Sequence, residues 1–160
     1  GELNPNKKVP VLTWGPYKLW ESNAIVTYLG ERTHRLWPTD AEGKGRAAKW
    51  LFFEARHLSE PIGELWFNGY VARQMGRTPD TLAAEAAHRK CARYLAVLND
   101  HLGKDAWMLG SEYSLVDCCY GPVLDALALA GDYIEAYPAL KAYLARIRER
   151  KAWRACAFKQ

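Results

Sequence analysis

The chain has 160 residues, of which 49% are hydrophobic and 25% are charged, and its formal net charge is +4. This composition is ordinary for a soluble globular protein with a sizeable core, and it excludes a disordered chain. The longest apolar run, Leu115 to Ala130, contains two aspartates and is shorter than the roughly 18 residues that span a bilayer. The first residues show no signal-peptide pattern.

Basic residues concentrate near the end of the chain, where residues 141–160 hold seven lysines and arginines and a single glutamate. A basic segment can contact nucleic acid or an anionic membrane. The apolar stripe in this segment instead favours a helix that packs on a core and keeps its cations in solvent. We therefore predict neither a nucleic-acid partner nor a membrane partner.

The four cysteines and four histidines lack the spacing of a metal site. Cys118 and Cys119 are adjacent within an apolar run, which is typical of buried thiols. Free thiols without a disulfide framework suit a reducing compartment. We therefore predict no metal and a cytoplasmic location.

Residues 9–20 predict a β-hairpin, with strands at Val9–Trp14 and Tyr17–Trp20 and a turn at Gly15-Pro16. Pro10 removes a backbone donor, so its strand lies at an edge or its peptide bond is special. A hairpin followed by one helix is too small to be stable alone. It needs more strands, and this chain does not supply them.

Helices are predicted from Ser22 onward. Ser22 has the character of a helix N-cap, and residues 34–45, with one proline and two glycines, predict a linker. Beyond Arg46 no strand pattern outweighs the helical one. Ser114 and Asp117 have the spacing of a capping box before a helix that is apolar on all sides, so this helix should lie at the centre of a bundle.

Three further residues divide the helical region. Pro61 predicts a kink or break, and Asp80 predicts the cap of the next helix. Pro138 suits the first turn of the last helix, which ends near Lys151 or continues past a bend.

Three segments of the sequence resemble the glutathione transferase superfamily. The first pairs Asn4–Leu12 with Leu19–Leu29, which are similar to the family's N-P-x-x-K-V-P-x-L and E-S-x-A-I-x-x-Y-L motifs. The second is Tyr113–Asp117, which is similar to the capping box of the family's central helix. The third runs from Tyr137 through Trp153 and is similar to its closing helices.

The resemblance implies a mostly α fold. Residues 1–33 would form the C-terminal part of a thioredoxin-like glutathione-binding domain, residues 34–45 a linker, and residues 46–160 the all-α C-terminal domain. In the family, a strand, a helix and a second strand come earlier and carry the Tyr, Ser or Cys that activates the glutathione thiol. The catalytic residue is therefore expected upstream of Gly1, and the subclass stays open.

The first motif implies a binding site for the middle and the glycyl end of glutathione. The family pattern, with a proline inside an apparent strand, predicts a cis peptide bond between Val9 and Pro10. Val9 would then pair its backbone with the cysteinyl residue as an added strand; a rigid structural turn at Pro10 is compatible with that role. Lys7 or Lys8 would meet the glycyl carboxylate, although a solvated loop lysine is the ordinary alternative.

The second motif implies a binding site for the γ-glutamyl end. Ser22 at a helix N-terminus offers a hydroxyl, an N–H and the positive end of the helix dipole to the γ-glutamyl carboxylate. Plain N-capping by Ser22 is the alternative. Glu21, directly before it, would take the γ-glutamyl ammonium group.

The resemblance also implies a second substrate, electrophilic and apolar, that lies against the helical domain. Candidates for the wall of that site are Trp50, Phe53 and His57, with Trp66, Phe67 and Tyr70 further along the chain. Aromatic residues at helical spacing also pack in cores and dimer interfaces, and this alternative stays open. A homodimer is expected, and Trp50, Phe53 and Arg56 are available for its contact surface.

By resemblance, the protein is an enzyme, a glutathione transferase with glutathione as its co-substrate, whose thiolate attacks the electrophile. A free thiol has a pKa of about 8.5, so dipoles, hydrogen-bond donors or cations must lower it. The alternatives are a glutathione-dependent isomerase, dehalogenase or peroxide reductase, and a non-catalytic binding or assembly module of the same fold. The residue that ends the family's first strand would discriminate between enzyme and module.

Overall fold

The structure, a computed structural model, describes residues 2–156. It opens with an antiparallel hairpin of β1 (Val11–Trp14) and β2 (Tyr17–Trp20), in which Val11 faces Trp20. The hairpin predicted from alternating β-rich segments and a Gly-Pro turn is therefore confirmed.

The other named elements of the described chain are helical. In chain order they are α1 (Ser22–Thr33), α2 (Ala41–His57), α3 (Ser59–Trp66), a π-helical turn (Phe67–Val71), α4 (Ala72–Gln74), α5 (Thr81–Leu102), α6 (Leu115–Ala130), a 3-10 turn (Asp132–Ile134), α7 (Pro138–Glu149) and α8 (Lys151–Cys156). The mostly α fold class is confirmed, with a hairpin and one helix followed by an all-α bundle.

Helix α6 lies at the centre of the bundle, as predicted. It packs against α1, α2, α3 and α7, and Val116, Tyr120, Leu124 and Leu127 are fully buried. Burial of one large apolar side chain contributes roughly 1.5–3 kcal/mol, so this helix is a major source of stability. Tyr120 donates its hydroxyl hydrogen to the carbonyl oxygen of Trp50 at 2.8 Å, which satisfies its one polar atom.

The predicted linker 34–45 is too long at its C-terminal end. Helix α2 begins at Ala41, and its N-cap Asp40 accepts a hydrogen bond from the backbone N–H of Gly43 at 2.7 Å. A Cβ on Gly43 would lie 2.5 Å from the Cβ of Pro38. This glycine therefore permits a close approach at a helix start, where the sequence pattern predicted a linker.

Two predicted interruptions of the helices are present. Helix α2 ends at His57, and α3 begins two residues later. Pro61 lies in the first turn of α3, where its missing N–H costs no hydrogen bond. Helix α7 gives way to α8 at Arg150, whose backbone is extended. The last helix therefore continues past a bend.

Basic residues of the C-terminal segment make contacts within the protein. Arg148 pairs with Asp125, and Lys141 pairs with Glu135; Lys159 lies outside the described residues. These pairs support the interpretation as a packed helix with a solvated face, because they reduce the positive charge left for an anionic partner. In the described part of the chain, no helix combines the length and apolarity needed to cross a membrane.

Candidate functional site

The register of the hairpin brings the two motifs that are predicted to bind glutathione to one end of the sheet. Because Val11 pairs with Trp20, Pro10 just before β1 and Glu21 just after β2 are neighbours. The peptide bond between Val9 and Pro10 is cis, as predicted. Val9 is 91% exposed, so it is available to a ligand at this end of the hairpin.

The loop before β1 is folded around Asn4, which is buried. Its side-chain amide donates to the carbonyl oxygen of Lys8 at 2.8 Å, and its side-chain oxygen accepts from the backbone N–H of Asn6 at 2.9 Å. Lys7 and Lys8 are both exposed. The two lysines therefore project from a fixed loop close to Val9, and Asn4 has a structural role that the motif alone did not reveal.

Helix α1 begins without a capping side chain. Its N-cap is Glu21, with φ 73° and ψ 116°, and within residues 2–156 no side chain caps this terminus. The prediction that Ser22 is the N-cap is therefore wrong. The positive φ of Glu21 turns the chain one residue earlier, so Ser22 is the first helical residue, and it is exposed.

The start of α1 has the chemistry of an anion site. The first N–H groups of a helix have no acceptor within it, and the aligned peptide dipoles place partial positive charge there. Ser22 adds a hydroxyl donor, and the exposed carboxylate of Glu21 can accept from an ammonium group. A group that carries both a carboxylate and an ammonium, such as the γ-glutamyl end of glutathione, matches this pair.

A groove of about 740 Å³ runs along the junction of β2, α1 and helix α2. One wall comes from β2 and α1, where the rings of Tyr17 and Tyr28 lie 5.1 Å apart. The other wall comes from α2 and includes Leu51 and Phe52, of which Phe52 is 74% exposed. Phe52 was not predicted from the sequence, although it is a large apolar residue outside the core stripe of α2.

A buried carboxylate also lines this groove and was not predicted. Glu54 is 4% exposed and accepts hydrogen bonds from the side-chain amide of Asn23, at 2.9 Å, and from the hydroxyl of Ser59. The same amide donates to the carbonyl oxygen of Leu51 at 2.9 Å. One sequence signal was available, since Glu54 is a charged residue between the apolar positions Leu51 and Leu58.

The aromatic residues proposed as a substrate wall lie on the opposite face of α2 from this groove. Trp50 is buried, and its ring centre lies 4.5 Å from that of His101. The structure therefore favours core packing for Trp50, which is not available for a dimer surface. His57 stacks on Tyr94 with ring centres 4.1 Å apart, and a substrate contact by Phe53 or His57 stays a prediction.

The later aromatic candidates are not part of this groove. Trp66 lines a second cavity of about 240 Å³, together with Trp153, and its ring stacks on that of Tyr70 at 6.4 Å. Phe67 begins the π-helical turn and is exposed. The structure therefore does not bring these aromatic residues together with Ser22.

The capping box at the start of α6 is confirmed. The backbone N–H and the hydroxyl of Ser114 both donate to the Asp117 carboxylate at 2.7 Å. This carboxylate also accepts from the N–H of Met108 at 2.9 Å and from the hydroxyl of Tyr143 at 2.7 Å. Burial and the neighbouring carboxylate raise the pKa of Tyr143 well above its usual range. Because Asp117 is fully buried and accepts from four donors, it is not open to a ligand.

The four cysteines are free thiols; Cys119 is half-buried and Cys118 is exposed, so the prediction that these adjacent thiols are buried is wrong for Cys118. Burial raises the pKa of Cys91 to about 11 and that of Cys119 to about 12, and partial desolvation also raises the pKa of Cys118. These three thiols are therefore protonated at neutral pH. Among the residues that the structure describes, no group of three or more histidine, cysteine or acidic side chains is placed to hold a metal ion.

Comparison with known families agrees with this arrangement. Residues 2–31 match the model of the glutathione S-transferase N-terminal domain, and residues 81–146 match that of the C-terminal domain. Glutathione S-transferase GstB of Escherichia coli strain K12 is 32% identical over 162 residues, which cover 95% of this chain and 74% of the relative. The chain belongs to the glutathione transferase superfamily.

Members of the superfamily that resemble this chain carry different activity names. Disulfide-bond oxidoreductase YfcG of Escherichia coli strain K12 is 28% identical over 159 residues, which cover 94% of this chain and 71% of the relative. A solved glutathione transferase of Burkholderia graminis, with two glutathione molecules bound per subunit, has a TM-score of 0.81 and 28% identity; the match covers 99% of this chain and 71% of that one. At the level of the family, these relatives and GstB support an enzyme of the transferase type.

Proposed function

We propose that the full-length protein binds glutathione at the hairpin end formed by Val9, Pro10, Glu21 and Ser22 and conjugates its thiolate to an electrophilic, apolar small molecule. The register of the hairpin carries this proposal, because the pairing of β1 with β2 sets the two motifs side by side. The open start of α1 supports it, since exposed donors at a helix N-terminus suit a carboxylate.

Each part of glutathione has a matching group at this end. The hydroxyl of Ser22 and the first N–H groups of α1 donate to the γ-glutamyl carboxylate, and Glu21 accepts from the γ-glutamyl ammonium. The backbone of Val9 pairs with the cysteinyl residue in the manner of an added strand. Lys7 or Lys8 binds the glycyl carboxylate from the loop before β1, where both are exposed.

The reaction requires glutathione as a thiolate. The pKa of its thiol is about 8.5 when glutathione is free. The positive end of α1 and an O–H or S–H donor lower this pKa in the complex. We assign that donor to a residue upstream of Gly1. The thiolate sulfur attacks the electrophilic carbon and forms the C–S bond, and a leaving group departs with the bonding electrons. Phe53 and His57 remain candidates for contact with the electrophile.

The affinity of the full-length protein for glutathione, measured by calorimetry, tests the site. Ser22→Ala removes a hydrogen bond to a charged carboxylate, worth about 1.5–3 kcal/mol, so the dissociation constant should rise at least about tenfold. Ser111→Ala is the matched control, because Ser111 is an exposed serine in the loop before α6. It should bind glutathione as the unsubstituted protein does.

Cysteinylglycine, which is glutathione without its γ-glutamyl residue, distinguishes the two ends of the ligand. It should bind Ser22→Ala and the unsubstituted protein with equal affinity, and this affinity should be weaker than that of the unsubstituted protein for glutathione. Equal affinities of the unsubstituted protein for cysteinylglycine and glutathione, or unchanged glutathione binding by Ser22→Ala, would refute the assignment. The non-catalytic binding or assembly module would then be the better description of the protein.

We also infer a homodimer, supported by the groove beside Phe52. This exposed ring stands next to a groove lined by Tyr17, Leu19 and Leu51. A twofold interface brings identical patches together, so a patch with both a protruding ring and a groove can complement itself. Phe52→Ser should shift the full-length protein toward monomer in sedimentation, while Leu82→Ser, at a residue on α5 that is 76% exposed, should not. A monomeric unsubstituted protein would contradict the inference.

A cytoplasmic location is proposed from the state of the cysteines. All four are free thiols, which suits a reducing compartment. Thiol titration of the denatured protein from freshly lysed cells should therefore find every cysteine reactive, and a disulfide between any two of them would contradict the proposal.

A further inference from the structure

Glu54 is a buried carboxylate for which the proposed reaction has no direct use. It is 4% exposed, and it forms no ion pair with any described residue. Removing a carboxylate from water is unfavourable unless hydrogen bonds replace the solvent. Here the replacements are the side-chain amide of Asn23 on α1 and the hydroxyl of Ser59 at the start of α3. The carboxylate therefore joins α1, α2 and α3 at one point.

Asn23 links this carboxylate to the proposed glutathione site. It is the second residue of α1 and directly follows Ser22. Its amide donates both to the Glu54 carboxylate and to the carbonyl oxygen of Leu51, each at 2.9 Å. Two bonds from one planar amide fix the side chain, so they hold the first turn of α1 in a defined position against α2.

The backbone of Glu21 is a second, independent observation. Its φ of 73° and ψ of 116° lie outside the regions favoured by residues with a Cβ. Such a conformation persists where contacts on both sides over-determine it. On one side Trp20 is paired with Val11 in the sheet, and on the other side Asn23 is bonded to α2. Ser22 lies between the strained residue and this second anchor.

We propose that Glu54 is a positioning residue for glutathione: through Asn23 it orients Ser22 and the first N–H groups of α1 toward the γ-glutamyl carboxylate. This inference rests on the proposed function, since it requires that carboxylate to bind at Ser22. Glu54 bonds to Asn23 and not to Ser22, so its role is assigned through Asn23 and not to contact with the ligand. Hydrogen bonds weaken steeply as their geometry departs from linear, so a small rotation of this turn weakens binding of the γ-glutamyl end.

Glutathione binding by full-length protein carrying Glu54→Gln tests the inference. Glutamine has the shape of glutamate but carries no charge, so Asn23 donates to a neutral acceptor and the NH₂ group can meet Ser59 only as a donor. Both charge-assisted bonds of the carboxylate are thereby replaced by weaker neutral ones. The dissociation constant for glutathione should rise about tenfold. Ser59→Ala keeps the carboxylate and Asn23 and should raise it by less. Glu60→Gln makes the same charge change at an exposed residue of α3 and should leave it unchanged.

A double substitution separates positioning from a general loss of structure. Because Glu54 acts partly through Ser22, adding Glu54→Gln to Ser22→Ala should raise the dissociation constant by less than the tenfold that Glu54→Gln causes alone. The affinity for cysteinylglycine should not respond to Glu54→Gln, because that ligand lacks the γ-glutamyl end. A further tenfold loss in the double variant, or an equal loss of affinity for cysteinylglycine, would overturn the inference.

The outcomes keep the two proposals apart. An unsubstituted protein that fails to bind glutathione overturns the proposed function and this inference with it. A protein that binds glutathione and responds to Ser22→Ala, but not to Glu54→Gln, overturns the inference alone. Each variant is measured well below its own melting temperature, so that folded proteins are compared.

Discussion

Two helices of this protein begin at a predicted serine cap, but their starts are built in opposite ways. At α6, Ser114 and Asp117 form a capping box, and the Asp117 carboxylate accepts from four donors inside the protein. At α1, the N-cap is Glu21, no side chain caps the terminus within the described residues, and Ser22 is exposed. Donors at the start of α6 have acceptors inside the protein, whereas the start of α1 is exposed and has no side-chain acceptor among the described residues.

The difference shows that a serine at a helix start is not informative by itself. A buried helix start without acceptors is unfavourable, so α6, at the centre of the bundle, needs acceptors inside the protein. The capping box and the carbonyl oxygen of Leu36 supply them. An exposed start can leave its N–H groups to water and can exchange that water for an anion. Burial of the terminus and the source of its acceptor distinguish a structural helix start from a binding one.

Asp117→Ala should have the largest effect on stability. It leaves the N–H of Met108 and the hydroxyl of Tyr143 buried without an acceptor, each at a cost of about 1–3 kcal/mol. The free energy of unfolding in urea should therefore fall by about 3–5 kcal/mol. Asp100→Ala, at an exposed residue of α5, should change it by less than about 0.5 kcal/mol. Equal effects of the two substitutions would remove the contrast between the helix starts.

Alkaline pH should have the second largest effect on stability, through the buried start of α6. Because the pKa of Tyr143 is raised by burial, the folded protein keeps its proton above pH about 10, where an unfolded tyrosine loses it. The stability that this residue contributes is fully present below pH about 10 and is lost above it, by up to about 1.4 kcal/mol per pH unit. The free energy of unfolding in urea, measured below and above pH about 10, gives the loss, and in Tyr143→Phe it should fall less steeply with pH. An equally steep fall in that variant would count against the hydrogen-bond network around Asp117.

Ser114→Ala should lower stability by less than Asp117→Ala or alkaline pH does. It removes the hydroxyl of the capping box while the backbone N–H still donates to Asp117. Loss of a helix cap costs about 1 kcal/mol, and the urea midpoint should fall accordingly. No change in the midpoint would mean that the hydroxyl is dispensable.

Ser22→Ala should have the smallest effect on stability, because Ser22 is exposed and does not cap its helix. The free energy of unfolding should change by less than about 0.5 kcal/mol, although glutathione binding falls. A loss as large as that of Ser114→Ala would show that both serines are structural and would sharpen the case against a binding role.

The elements predicted correctly from the sequence are those with local signals. The capping box depends on two residues three positions apart, and the hairpin depends on two short strands around a turn. Serine is a favoured N-cap residue, so the sequence pattern predicts Ser22 as the N-cap of α1. The backbone dihedrals of Glu21 decide the matter instead, and a glutamate gives no sign of a positive φ.

The features that were not predicted depend on contacts between distant parts of the chain. Asn23 and Glu54 are 31 residues apart, and neither residue type indicates the other. Phe52 and Trp50 are both aromatic residues of α2, yet one is exposed and the other is buried. Which face of α2 meets the bundle is set by tertiary packing, so periodicity alone did not separate them.

Amide chemical shifts of isotope-labelled full-length protein, recorded during a titration with glutathione, test the location of the binding site most directly. We predict the largest shift changes at Val9, Glu21 and Ser22. Ser114 and Asp117 should change little, because their helix start is closed by its own side chains. Largest changes at the start of α6, or around the cavity between α3, α6 and α8, would contradict the assignment of glutathione to the open start of α1.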